Sequence, residues 1–195
     1  MCATWQAEKN EASPYTENQT PPSFGQDSPR ISFKEQKNKE IAMKWITRER
    51  PKIDRIACPW LIQRFIDKEA EFLYVPANQV LKVATETGAI PYDVPDVELS
   101  HEGDLCSFDA FLKKYHLTEP ALDQLALIVR GADTSTLDLT NQSAGLYAIS
   151  LGLSANYSND HEMLKHGMVM YEALYAWCKS CQDESHNWPP NMGAS

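Results

Sequence analysis

No stretch of the 195-residue chain comes near the roughly 20 consecutive apolar residues that a membrane-spanning helix needs. The first forty residues lack both the positively charged start and the apolar centre of a secretion signal. These two absences point to a cytoplasmic protein that engages no membrane. The five cysteines, Cys2, Cys58, Cys106, Cys178 and Cys181, are odd in number and thinly spread. That excludes the dense stapling of a small secreted domain and fits a reducing compartment. Phosphate-cradling glycine loops are missing: there is no Walker loop, no G-x-G-x-x-G and no G-x-S-x-G elbow. A nucleotide cofactor and the common hydrolase mechanisms are thereby set aside. Positive charge is also scarce. The net charge is −9, and the one basic run is Lys44, Arg48, Arg50, Lys52 and Arg55. Direct nucleic-acid binding would need an additional domain, because phosphate recognition requires a clustered basic face.

What is present is enough for one core. An apolar share of 43% supports a globular body. Residues 1–40 carry Pro14, Pro21, Pro22 and Pro29 among polar residues and read as a disordered polar extension. Residues 41–190 read as a single domain and 191–195 as a tail, with no internal repeat.

The spacing predicts a strand over Lys44–Arg48, a turn at Pro51, and a helix opening at Pro59 with Cys58 as its N-cap. A helix starting at Asp54 and kinked by Pro59 is the alternative. Glu71–Val75 reads as a strand and Asn78–Thr87 as a helix closed by Gly88, giving a βαβ-like start. Ile90–Asp96, punctuated by Pro91 and Pro95, is a loop or an edge, and Val97–Leu99 is a candidate sheet partner. Helices follow: Ser107 as N-cap of one reaching Tyr115, one from Pro120 to a Gly131 stop, and one over Thr140–Leu153. The last is capped by Asn159 with Glu162 three residues on and runs to Cys178, its inward stripe being Met163, Gly167, Met170, Leu174 and Trp177. The expected fold class is α+β, a small sheet near the N-terminal half with a mainly helical C-terminal half.

Two constellations carry chemistry. A helix start attracts anions, and guanidinium forks suit oxyanions, so Arg48, Arg50, Arg55 and Cys58 form a candidate oxyanion site. The plainer reading is that Cys58 is a small buried hydrophobe and that Arg55 pairs with neighbours. His101, Glu102, Asp104 and Cys106 crowd a turn at Gly103, while Glu162 and His166 share a helix face at i, i+4. With Asp133 closing the set, His101, Cys106, Asp133, Glu162 and His166 are candidate ligands for a transition metal ion, Zn, Fe or Mn. A solvated turn and a surface pair are the plainer readings of the same residues. The solitary Cys178-Lys179-Ser180-Cys181 lacks the context of a redox motif or a zinc site.

The segments KWITRERPKIDRIACPWLIQRFID, EFLYVP, ELSHEGDLCSFDAFLKKY, IVRGADT and DHEMLKHGMVMYEALYAWC together resemble the C-terminal domain of chromate-resistance (ChrB) proteins over about residues 43–190. The resemblance implies a setting in chromate resistance. It supplies no catalytic residues.

Two functions of different class follow. One is a binding module that responds to an oxyanion, chromate by the resemblance, or to a metal, through the basic loop and the Cys and His groups. The other is a metal-dependent oxidoreductase of chromate or oxidative-stress detoxification. The partners expected are a small oxyanion or metal ion, with homo-oligomerisation left open.

Overall fold

The computed structural model describes residues 42–183; the predicted polar extension and the 191–195 tail lie outside these. The first described element is strand β1 (Lys44–Arg48), followed by helix α1 (Asp54–Leu61), a π-helical turn (Ile62–Ile66) and β2 (Glu71–Val75). A short 3-10 turn then leads into α2 (Val80–Thr87) and β3 (Ile90–Pro91). Helices α3 (Ser107–Lys114), α4 (Pro120–Asp133), α5 (Ser143–Asn156) and α6 (Asp160–Ser180) complete the described residues. It is an α+β fold, with its small sheet in the first half and helices in the second.

The sheet is all parallel, in the order β2-β1-β3. Trp45, Ile46 and Thr47 of the central strand are all buried, the unbroken run expected of a parallel strand covered on both faces. Trp45 enters the main core with Ile56, Leu61, Phe108, Phe111, Leu125 and Tyr171. Ile46 points the other way, to a smaller cluster of Val80, Ala84, Ala89 and Val94 under α2. Gly88 closes α2 in the left-handed conformation, φ 70°, as a C-terminal glycine should.

Several boundaries differ from the expectation, each for a physical reason. The first helix starts at Asp54, with Pro59 inside it and Cys58 buried in its interior rather than capping it. A proline deprives the carbonyl four residues back of its donor, and here Tyr74 Oη donates to the Arg55 carbonyl at 3.4 Å. No helix start therefore faces the basic loop at Pro59. Gly131 does not stop α4, which runs on to Asp133. The glycine instead permits close approach of α5: a Cβ there would lie 2.3 Å from Ser143 Oγ. Cys106, not Ser107, is the N-cap of α3, and the Asp109 side chain accepts from its backbone N–H at 3.0 Å. Val97–Leu99 adds no strand; only the Leu99 carbonyl is used, accepting from Asp93 N–H at 2.9 Å.

Helix α6 forms the capping pair at Asn159, whose Oδ1 accepts from Glu162 N–H at 2.9 Å. Its buried face is Met163, Leu164, Gly167, Tyr171, Tyr175 and Cys178, rotated from the predicted stripe, whose Met170, Leu174 and Trp177 are only partly buried. Gly167 is a point of close contact with α1, for a Cβ there would sit 2.3 Å from Ile56 Cγ2.

Candidate metal centre

The chain crosses from β1 through α1 to β2 on one side, then through α2 to β3 on the other side of β1. The carboxyl ends of β1 and β3 therefore border the place where strand order reverses, the usual ligand crevice of a parallel sheet. Arg48 is the last residue of β1, and Asp93 lies two residues beyond β3. Asp54 opens α1, Asp133 ends α4, and His101 comes from the loop before α3. These five meet.

The imidazole is the hub. His101 Nε2 lies 3.1 Å from Asp133 Oδ2, 3.4 Å from Asp54 Oδ2 and 3.5 Å from Asp93 Oδ1. One donor atom each from Asp54, Asp93 and His101 falls within a common 4.8 Å. Asp93 is fixed on both oxygens: Oδ1 accepts from Ser107 Oγ at 3.1 Å, while Oδ2 takes Arg48 Nη2 at 2.5 Å and Arg55 Nε at 3.1 Å. Asp54 is not fixed. Its Oδ2 is buried and makes no hydrogen bond, the His101 imidazole standing 3.4 Å away as an ion-pair partner.

The electrostatics follow from crowding carboxylates out of water. Burial raises the Asp54 pKa against the pull of His101, and the Asp93 charge adds to the rise. Burial, together with the Asp54 and Asp93 charges, pushes Asp133 up to about 7. Its seat at the negative end of α4 is also unfavourable for an anion. Asp93 behaves oppositely: burial would raise it, but His101, Arg48 and Arg55 outweigh that and hold it below the usual carboxylate range. The facing carboxylates of Asp54 and Asp93 raise His101 to about 10. Perturbed groups held together in this way are a mark of functional sites. The backbone agrees, since Ile53 and Asp93, flanking or within the cluster, have φ of 45° and 50°, and such strain is retained where the surroundings enforce it.

The residues singled out in the sequence divide. His101 and Asp133 come together. Cys106 is buried under the N-terminus of α3 with Sγ 3.4 Å from Asp109 Oδ2, and burial, then the Asp54 charge, drives its thiol pKa upward. Glu162 and His166 pair with each other at 3.7 Å, with His166 stacked on Tyr157 at 4.4 Å; neither forms an ion pair with His101 or Asp133. Of the basic set, Arg48 and Arg55 converge on Asp93. Arg55 Nη1 also donates to the Arg48 and Glu49 carbonyls, at 3.3 Å and 3.1 Å. Arg50 turns away, donating to the Tyr157 carbonyl at 2.8 Å and to that of Ser154. Cys58 is fully buried, its pKa raised first by burial and then by Asp54. The two residues that sequence reading passed over are Asp54 and Asp93.

The fold and its carboxylate–histidine centre thus define an α+β domain with a polar site at the switch point of a small parallel sheet. Residues 45–178 match the family model described as ChrB, C-terminal domain, and the chain belongs to that family. Protein ChrB of Cupriavidus metallidurans is 30% identical over 132 residues, which is 67% of this chain and 39% of that protein. The chain therefore matches well under half the length of this relative. No solved structure matches. Among the described residues no helix is long and apolar enough to cross a membrane.

Proposed function

We propose that this domain serves chromate resistance as a metal-binding module, holding one divalent transition-metal cation between Asp54, Asp93, His101 and Asp133. The observation that carries the reading is Asp54 Oδ2: a buried carboxylate oxygen without a donor, aimed at an imidazole nitrogen and two further carboxylates. A buried acceptor left unpaired is costly, and a cation satisfies it. Donors bound to one ion at about 2.0–2.2 Å stand about 3–3.5 Å from each other, and the 3.1–3.5 Å separations around His101 Nε2 have that scale.

Three hard oxygens and one imidazole suit Mn, Fe or Zn, and the absence of thiolate from the set argues against a soft ion such as Cu(I). When bound, the ion would supply a Lewis-acid or redox centre. The protein's part is positioning: Ser107, Arg48 and Arg55 orient Asp93, in the manner of groups that tune ligands from outside the coordination sphere.

The test is elemental analysis of the protein purified without chelator, with Asp54→Asn and His101→Ala alongside. About one equivalent of Mn, Fe or Zn in the parent and little in either variant supports the reading. A parent that cannot be loaded with any of these ions, or variants that retain the parent's metal, would sink it.

A further inference from the structure

Helix α6 runs between two hollows. One, of about 570 Å³, lies toward α1 and the π-helical turn and is lined by Trp60, Arg64, Met168 and Ala176. The other, of about 370 Å³, lies toward α5 and is lined by Leu146, Ile149, Met170 and Trp177. Ala173 lines both, so they are divided only by the outer ridge of α6, Val169, Ala173 and Ala176 at helical spacing. That ridge is exposed, Val169 to 71%, and Ile149 on the opposite bank is 55% exposed. The π-helical turn builds the bank nearer α1, where its Gln63 and Arg64 are both exposed. Such widened turns are rare and frequently sit at functional sites.

The face is nearly free of charge. From Gly167 to Cys178 the only charged residue is Glu172, and it is already engaged: Trp60 Nε1 donates to its Oε2 at 2.9 Å, and Arg64 Nε stands 3.5 Å from the same oxygen. Charges return at the two ends of the helix, with Glu162 and Lys165 before the apolar stretch and Lys179 after it. An apolar centre carrying Met and Trp inside a charged rim is the anatomy of a protein interface. A helix face that meets only water is polar.

Shape and charge together select the occupant. The same surface carries projections, Val169 and Ile149, and hollows beside them, the self-complementarity that a twofold contact requires. The small Ala173 side chain lets a second helix approach closely. If two copies of α6 lie antiparallel with Val169 of each over Ala173 of the other, that register sets Glu162 beside Lys179 of the second copy, at both ends of the contact. The 21 residues of α6 span about 30 Å, and neighbouring helices lie about 8–10 Å apart. A face reaching from the π-helical turn across α6 to α5 therefore measures roughly 600 Å² in plan, the scale of the ~800 Å² per partner found in stable interfaces.

We propose that this face is a dimer interface, in which two copies of the chain pack α6 against α6, antiparallel about a twofold axis passing between Val169 and Ala173. Trp60, Gln63 and Arg64 lie toward the far end of α1 from Asp54, Arg64 roughly 15 Å along, so the contact falls away from the carboxylate–histidine centre. It uses none of Asp54, Asp93, His101 and Asp133 and stands apart from the metal-binding reading.

The experiment is sedimentation velocity of the full chain over a micromolar concentration series. Val169→Glu, Glu162→Lys, Lys179→Glu and the charge-swapped double variant are run alongside, with Leu81→Glu, at a 53% exposed leucine of α2, as control. The expected result is a species of about 44 kDa, twice the 22.1 kDa of the chain. Its dissociation constant should rise at least about tenfold in Val169→Glu and stay unchanged in Leu81→Glu. Each single charge reversal should weaken the dimer a few-fold, and the double variant should restore it. Should Val169→Glu lose the native circular dichroism, Ala173→Glu, on the same exposed ridge, carries the test. A parent that keeps the mass of one chain across the series overturns the proposal and leaves the face to another occupant, a different protein or residues 184–195. A dimer that tolerates both Val169→Glu and Ala173→Glu overturns it too, since the contact then lies on another face. A charge-swapped double variant no tighter than the single ones overturns the antiparallel pairing.

Discussion

His101 Nε2 stands 3.4 Å from Asp54 Oδ2, and that oxygen has no hydrogen-bond donor although the Asp54 side chain is only 2% exposed. An unsatisfied buried acceptor destabilises the fold that carries it, so Asp54→Asn separates stability from binding. The neutral amide removes repulsion from Asp93 and Asp133, and metal-free Asp54→Asn should melt at or above the parent at pH 8, by up to about 1 kcal/mol. Its affinity for Mn²⁺ should fall at least about 100-fold, a full ligand mattering more than an outer-shell partner. Differential scanning calorimetry and equilibrium dialysis measure the two. Lower stability together with undiminished Mn²⁺ affinity would make Asp54 a packing residue.

The same cluster dictates how the metal-free protein responds to pH. His101 has its folded pKa raised from 6.5 to about 10, so its stabilisation is complete below about pH 6.5 and is lost as pH rises through 10. Asp133 is raised from 3.8 to about 7; its protonated form is the one the fold favours, and that contribution is lost between those values. Both slopes run toward lower stability at higher pH. Melting temperature should therefore fall from pH 7 to 9.5 in metal-free protein, and His101→Gln should flatten the decline. A variant as pH-sensitive as the parent over this interval would place the titration elsewhere.

Helix α1 and helix α6 pack tightly at Ile56 and Gly167, where a Cβ would come within 2.3 Å of Ile56 Cγ2. Ile56 is fully buried, so Gly167→Ala must displace core rather than a free side-chain end. Overpacking of this kind costs about 1–3 kcal/mol. Ile56→Ala alone should cost about 2–5 kcal/mol through its cavity. The double variant should lose less than the sum, because each change relieves the other. Urea unfolding of the four proteins checks this, and strict additivity would mean that α6 shifts instead.

Much of the fold is legible in the chain because it rests on local chemistry. The five-residue runs KWITR and EFLYV form the two longer strands, Gly88 caps α2, Pro120 opens α4, and the Asn159–Glu162 spacing marks α6. At Gly131 and Pro59 the differences share one cause: a residue with a strong local meaning is overruled by a partner from another element. Gly131 reads as a stop, but α5 needs it for close approach, and α4 therefore continues far enough to deliver Asp133. The centre was half legible. His101 and Asp133 are conspicuous, whereas Asp93 follows a two-residue strand that no periodicity can show. Asp54 looks like a first-turn acid beside Arg55. Its meaning comes from loops that converge only after the sheet reverses its order.

Pro59 gives the sharpest case of a distant partner, and it can be measured as a coupling. Without an N–H at Pro59, the Arg55 carbonyl lacks its ordinary i+4 helical donor and takes Tyr74 Oη, at 3.4 Å, from β2. Tyr74→Phe keeps the ring, which packs against His161 at 5.5 Å, and removes the hydroxyl that donates to the Arg55 carbonyl. It should cost about 1–3 kcal/mol, since a part-buried carbonyl is left unpaired. Pro59→Ala restores a helical N–H to that carbonyl, so Tyr74→Phe in the Pro59→Ala background should be nearly neutral. The cycle isolates the interaction as the difference between the two Tyr74→Phe effects, which must exceed about 0.5 kcal/mol to stand clear of ordinary additivity. A Tyr74→Phe effect that is the same in both backgrounds would mean that the hydroxyl acts elsewhere and that α1 tolerates its interior proline without help.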